Sequence, residues 1–316
     1  MPEIVAVGEA LVEIMRRGVG IPLEAIGEFV GPYPSGAPAI FADQVARLGH
    51  GVAFVGAVGQ DAFGRLIVDR LEADGVMTGE LVAMPHMSTG VAFITYRENG
   101  SREFIFHMGN AAAGALPDVP EYYLARAQWL HICGSTLAAS PRMREVCYRA
   151  VETACRMGCD ISFDPNLRPE LLMGGLEEFR ALCEPVLSRA ALVLPGMAEL
   201  AALTGENDPQ AGAEKLLDRG VRLVAVKLGA EGCLLCTPEQ VVRVPAYPVK
   251  VVDPTGAGDC FAAAVVCGLL EELSLEEMGR LANACGALAA SVQGPMEGAK
   301  FRSEVEAFIR EQESGT

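Results

Sequence analysis

Short runs of consecutive apolar residues recur along the chain at 4–8, 52–59, 129–133, 161–164, 191–195 and 222–228. Turn-forming or charged residues bound each run. Segments with apolar residues at helical spacing lie between several of them, at 141–157, 177–188 and 209–219. Continuous apolar strands alternating with helices predict βαβ units around a mostly parallel sheet buried on both faces. Two stretches break that rhythm. The first, at about 14–34, is rich in Gly and Pro. The second, at 87–107, alternates apolar and polar residues (Val91, Phe93, Thr95, then Phe104, Phe106) around Glu98-Asn99-Gly100. Asn-Gly between alternating runs is a strong hairpin signal. Both stretches are therefore expected to leave the sheet and build a small β lid. No long linker, repeat or low-complexity segment interrupts the chain. A length of 316 residues suggests two domains at roughly 150 residues each. The pattern instead predicts a single α/β domain over 1–316 with a lid.

Composition narrows the partners. The chain carries 25 Lys+Arg against 41 Asp+Glu, a formal net charge of −16. General nucleic-acid binding needs a basic stripe, and docking on anionic lipid needs a basic face, so neither is expected. A phosphorylated ligand stays possible in principle, because one pocket can be locally positive on a negative protein. Lysine occurs only at Lys215, Lys227, Lys250 and Lys300. No basic stretch followed by an apolar run opens the chain, and apolar stretches break before the ~20 residues a membrane span needs, so a cytoplasmic protein is expected. Ten cysteines are scattered mostly singly, unlike a disulfide framework. The close pair Cys233 and Cys236 lacks a second pair or nearby histidines, and reads as apolar strand rather than a zinc site.

The segment richest in chemistry is Val251-Val252-Asp253-Pro254-Thr255-Gly256-Ala257-Gly258-Asp259-Cys260-Phe261, followed by an Ala- and Val-rich helical run at 262–270. A glycine-rich turn thus opens a helix. The first N–H groups of a helix have no intrahelical partner, and the macrodipole makes that end positive. Small residues let a phosphate approach the backbone. A carboxylate at Asp259 would repel that phosphate, unless it serves to accept a proton from a hydroxyl attacking the phosphorus. The competing interpretation is a capped helix start and nothing more. The sequence contains no GxxxxGK[ST], no GxGxxG after a strand, no GxSxG and no HExxH.

Asp253-Pro-Thr-Gly-Ala-Gly-Asp259 with Ala263-Ala264 resembles the C-terminal signature of the ribokinase-like (PfkB) carbohydrate kinases. Ser35-Gly36-Ala37-Pro38-Ala39-Ile40, Ala46-Arg47-Leu48-Gly49 and Gly56-Ala-Val-Gly59-Gln-Asp61-Ala-Phe-Gly64 resemble its N-terminal signature. The resemblance implies a ribokinase-like fold and ATP-dependent transfer of the γ-phosphoryl group to a sugar hydroxyl. It implies Mg²⁺ as cofactor and admits a monovalent cation such as K⁺. By this resemblance Asp259 is the catalytic base, and Gly256, Ala257 and Gly258 form the anion hole. Asp253 lies near the substrate and the cation. Glu13 falls where many relatives carry a sugar-gripping Asp, and Gly36 where the backbone approaches the sugar. Ser35 and Ile40 depart from the usual Gly and Asn of that loop. Asp164-Pro165-Asn166-Leu167-Arg168 is similar to a turn of fructokinase-like and 2-keto-3-deoxygluconate kinase-like members, with Arg168 able to meet a carboxylate or phosphate. Asp164 and Asn166 are equally read as turn caps.

Glu199 matches the Glu of a metal-linked Asn-x-x-Glu motif whose Asn is Gly196 here. Lys227, Gly229 and Gly232 resemble the nucleotide loop, although Lys227 also reads as a strand-end surface lysine. Asn283 falls where relatives flank the adenine. In the lid, Phe93, Tyr96, Phe106 and His107 are candidate sugar contacts. The substrate expected from the 31–45 run is a ketohexose of tagatose or fructose type. The alternatives are 2-keto-3-deoxygluconate, then a nucleoside, or a catalytically silent sugar sensor on the same fold. Relatives often pair through their lids, which makes a homodimer the expected assembly.

Overall fold

The computed structural model describes residues 1–98 and 100–314. Asn99 of the expected hairpin turn, and the last two residues of the expected 1–316 domain, lie outside the described residues. The chain opens with β1 (Ile4–Val7), β2 (Leu11–Arg16), β3 (Phe29–Ser35), α1 (Ala37–Arg47), β4 (Val52–Gly59), α2 (Ala62–Ala73) and β5 (Met77–Met84). The lid strands β6 (Gly90–Tyr96) and β7 (Arg102–His107) follow, then the short α3 (Glu121–Leu124), β8 (Trp129–Cys133), α4 (Gly134–Ala139) and α5 (Pro141–Met157). Next come β9 (Asp160–Asp164), α6 (Gly175–Leu187), β10 (Leu192–Val193), α7 (Met197–Thr204), α8 (Pro209–Leu217) and β11 (Leu223–Lys227). The chain closes with β12 (Cys233–Cys236), β13 (Val241–Val244), α9 (Ala257–Leu270), α10 (Leu275–Ala290) and α11 (Arg302–Ser314).

Nine strands form one sheet in the order β13-β12-β11-β10-β9-β8-β1-β4-β5. The pairs from β11 through β5 are parallel, and β12 and β13 add on antiparallel. The pleat splits the core in two. Ile4, Ala6 and Phe54 pack with Ala263, Val266 and Leu281 on one face. Val5, Val7, Val55 and Leu130 pack with Val146, Phe179 and Leu216 on the other. Successive strand residues point to opposite faces, so a strand covered by helices on both sides must be apolar at every position. That is why these strands read as unbroken apolar runs. Cys233 and Cys236 lie in buried β12, and all ten cysteines are free.

A second sheet has the order β3-β2-β6-β7. It starts at Leu11, a few residues before the stretch expected from the sequence, because Leu11 already pairs with Ser35 and Gly90. Among the described residues, no helix is long and apolar enough to cross a membrane.

Candidate active site

The site lies where the parallel strands end. The carboxyl ends of β1, β8, β9, β10 and β11 deliver Glu9, Ser135, Asp164 to Arg168, Glu199 and Lys227 to one edge of the sheet. In open α/β sheets this edge is where ligands bind. The turn before α9 faces it. Gly256 caps α9 at φ +82°, and a Cβ there would stand 2.2 Å from the Pro295 carbonyl oxygen. Only glycine fits, on backbone and spatial grounds together. The first N–H groups of the 14-residue α9 are thus presented beside Asp259.

Asp259 is buried, and burial with the nearby Asp164 charge pushes its carboxyl up to about 8, against the pull of Lys227 and Arg168. Asn166 donates from Nδ2 to Asp259 Oδ1 at 3.3 Å. Asn166 is itself held by an Asp164 turn, its N–H donating to Asp164 Oδ1 at 3.1 Å. Asp164 Oδ2 accepts from Lys227 Nζ at 2.7 Å. Lys227 is therefore not a surface lysine. Its charge is engaged with a fully buried carboxylate, which raises the lysine's own affinity for its proton.

A small pocket beside Asp259 is lined by Glu9, Glu13, Ser35, Gly36, Ile40, Phe104, Phe106, Arg168, Thr255 and Gly256, among others. The structure thus brings Glu13, Gly36, Arg168 and Asp259 together. Gly36 has φ +114°, and a Cβ there would lie 2.3 Å from the Glu9 carbonyl oxygen, so the loop can sit this close only as glycine. The pocket volume is 40 Å³, far below the ~300 Å³ lower bound of small-molecule sites. The lid packs down over it. Two lid residues hold it down: the Tyr96 hydroxyl donates to Asp253 Oδ1 and lies 2.9 Å from Thr255 Oγ1, while Arg102 donates to Thr255 Oγ1 at 3.2 Å. Asp253 also accepts from the N–H groups of Thr255 and Gly294, each at 2.9 Å. It pins the turn before the helix rather than lining the pocket.

Phe93 and His107 are placed elsewhere. Their register, Phe93 opposite Ile105 and Val91 opposite His107, puts them on the lid face opposite Phe104 and Phe106. They line a neighbouring 680 Å³ cavity to which Phe106 and Met108 also contribute. That cavity contains neither Asp259 nor the helix start. Phe104, Glu9 and Ser135 enter the site although the sequence did not single them out. The 104/106 alternation pairs the two phenylalanines, but only strand register says which face meets the sheet. Glu9 is buried, accepting from the hydroxyls of Ser135 at 2.6 Å and of Thr136.

On the far side of α9, a 540 Å³ cleft is lined by Lys227, Gly229, Gly232, Tyr247, Ala257, Gly258, Asn283 and Gly286, among others. It is large and apolar enough for a nucleotide base and opens onto the same helix start. Asn283 lines it, but its amide donates to the carbonyls of Val244 and Pro245, both at 3.0 Å, and so holds the cleft wall. Glu199 accepts from the N–H of Leu167 at 2.9 Å and from that of Gly196. Each of its oxygens keeps a lone pair. Among the described residues no group of three or more His, Cys, Asp or Glu could cage a metal. The donor set suits Mg²⁺, which keeps several waters and takes one or two carboxylates alongside substrate phosphates.

The sequence model of the family described as "pfkB family carbohydrate kinase" matches residues 1–301. Fructokinase-1 of Oryza sativa subsp. japonica is 36% identical, with 96% of each chain covered. The 2-dehydro-3-deoxygluconokinase of Bacillus subtilis (strain 168) is 32% identical, covering 88% of this chain and 87% of the relative. A candidate Ribokinase II from E. coli, solved in complex with ATP and Mg²⁺, is 40% identical with a TM-score of 0.91, covering 98% of this chain and 100% of that one.

Proposed function

From the premise that this chain belongs to the pfkB family of carbohydrate kinases, we propose that it phosphorylates a neutral ketohexose of the fructose type, with Asp259 as the general base. The observation that carries this reading is the pocket itself. It joins a buried carboxylate at a helix N-terminus to a polar pocket covered by the lid, next to a cleft that suits ATP. The acceptor hydroxyl gives its proton to Asp259, and its oxygen attacks the γ-phosphorus as the bond to the β-phosphate oxygen breaks. The N–H groups of Gly256, Ala257, Gly258 and Asp259 hold the transferring oxygens. Mg²⁺, when bound with ATP, neutralises charge on the β- and γ-phosphate oxygens, and Glu199 would hold it through its remaining lone pairs or water. Glu13 and Arg168 grip the sugar, and Phe104 and Phe106 cover it.

Three carboxylates, Glu9, Glu13 and Asp259, line the pocket against one cation, Arg168. Carboxyl groups able to bind sugar hydroxyls thus outnumber the one cation able to pair with a sugar carboxylate, which favours an uncharged sugar. The second reading is 2-keto-3-deoxygluconate. It is supported by the Arg168 fork and by the Bacillus relative. Coupled ADP release across fructose, tagatose, 2-keto-3-deoxygluconate, adenosine and inosine separates the readings. Fructose or tagatose should give the highest kcat/KM. Dominance of the sugar acid or a nucleoside would replace the proposed substrate, and silence with every acceptor would favour the sensor. The outer lid face exposes Phe29 and Ile105 at 37% and 46%. Pairing of two lids in a homodimer would cover them, and light scattering reads that mass directly.

A further inference from the structure

Glu13 and Ser35 sit diagonally across the β2–β3 pair, where Leu11 opposes Ser35 and Glu13 opposes Tyr33. Both line the sugar pocket. The Ser35 hydroxyl donates to Glu13 Oε1 at 2.7 Å, with both residues buried. Glu13 Oε2 is buried as well and finds no hydrogen-bond partner among the described residues. A buried carboxylate oxygen left without a donor is costly. Its place in a ligand pocket is accounted for if the donor arrives with the ligand. A carboxylate held at one oxygen offers the other in a fixed direction, whereas a Glu side chain with three free torsions would not.

We propose that Ser35 is a positioning residue for the sugar: it occupies one oxygen of Glu13 and thereby presents the other to a single hydroxyl of the acceptor. This rests on the reading that Glu13 binds the sugar. The groups that act on Glu13 belong to four segments. Asp253 before α9 disfavours its charge, Arg102 of β7 and Arg168 after β9 favour it, and Ser35 of β3 donates to it. Glu9 and Asp259 line the same pocket. Burial outweighs the favourable contacts and pushes Glu13 up to about 7, while the Ser35 hydroxyl pulls it down. Removing that hydroxyl should therefore both loosen the carboxylate and make it easier to protonate.

The test compares Ser35→Ala, Glu13→Gln and the double variant in the full chain, with the best sugar of the acceptor panel. Ser35→Ala should raise the sugar KM about tenfold, the scale of one hydrogen bond to a charged group, and leave kcat and the ATP KM within about twofold. In the Glu13→Gln background the same change should add little, since the two act as one unit. Calorimetric sugar binding in Asp259→Asn protein, where the base no longer titrates, supplies a further readout. There Ser35→Ala should move the acid-side loss of binding to higher pH. Ser35→Cys keeps the volume with a poor donor, should reproduce the alanine result, and carries the test if the alanine variant does not fold. An unchanged KM and pH profile in Ser35→Ala, with Glu13→Gln still raising KM, removes Ser35 from this role and leaves Glu13 in place. Fully additive effects overturn the proposal too. An unchanged sugar KM in Glu13→Gln overturns the Glu13 reading, and the proposal with it.

Discussion

At the scale of single residues, the proposed chemistry depends on a carboxyl group held largely protonated near neutral pH. Asp259 must lose its proton to act as a base, and its carboxyl is raised to about 8, not lowered. The active form is therefore lost as pH falls through that value, and kcat/KM for the sugar should drop by about tenfold per pH unit below it. The measured pH profile of the free enzyme should show this acid limb, and a limb near pH 4 would contradict it. Asp259→Asn should lower kcat by roughly 10²–10⁴ with a small change in sugar KM. Retention of wild-type turnover would remove the base assignment. Lys227 makes a different kind of prediction. It neutralises fully buried Asp164, so Lys227→Met strands a charge. Loss of one partner of a buried pair costs about 3–5 kcal/mol, and denaturant unfolding should read that loss. A change in ATP KM with unaltered stability would instead mean that the lysine serves mainly the nucleotide.

Among the elements, the lid and the turn before α9 are coupled by two side chains. Tyr96 closes onto Asp253 and Thr255, and Arg102 onto Thr255, so the end of β6 and the start of β7 rest on the turn that opens α9. The burial of Tyr96 beside the Asp253 charge keeps its hydroxyl protonated, and hence a donor. Tyr96→Phe removes a hydrogen bond to a charged group, worth about 1.5–3 kcal/mol. We expect the sugar KM to rise by about tenfold or more, together with faster proteolytic cleavage of the lid. Unchanged sugar KM and cleavage would show that the latch carries no closing energy. The elements themselves were largely legible. The strand at 129–133 and the helix at 141–157 coincide with β8 and α5. The strand expected at 191–195 shrinks to the two residues of β10. Of the other three residues, Ala191 and Leu194 still donate to the β9 carbonyls of Ile161 and Phe163, and Pro195 accepts from the N–H of Lys227. His131 lies in the apolar run of β8. It stacks on Phe41 with centroids 3.6 Å apart, and burial lowers it to about 3, making it a neutral core ring.

For the whole molecule, the net charge of −16 should repel ATP at long range. The positive sources are local: the α9 N-terminus and Arg168. The screening length shrinks from roughly 30 Å at 0.01 M salt to roughly 10 Å at 0.1 M. The long-range repulsion should fade before the local attraction does. We therefore expect kcat/KM for ATP to rise over that range while that for an uncharged sugar stays level. A fall for ATP would show that the local positive field governs capture.

The sequence by itself determined the layered α/β sheet, since strands buried on two faces must be apolar throughout. It also determined the glycine-rich helix start with Asp259, since a phosphate cradle needs small residues in consecutive positions. Both signals are local. Tertiary structure decided everything that depends on which face of a strand, or which distant charge, a side chain meets. Phe93 and His107 turned away from the pocket while Phe104 entered it, because a shift of one residue reverses a strand's faces and the register is set by a partner strand. Lys227 was claimed by Asp164 from another strand, and Ser35 by Glu13, through contacts across 63 and 22 residues of chain. Such pairings leave no period in the sequence. They exist only once the sheet edge has brought the partners together.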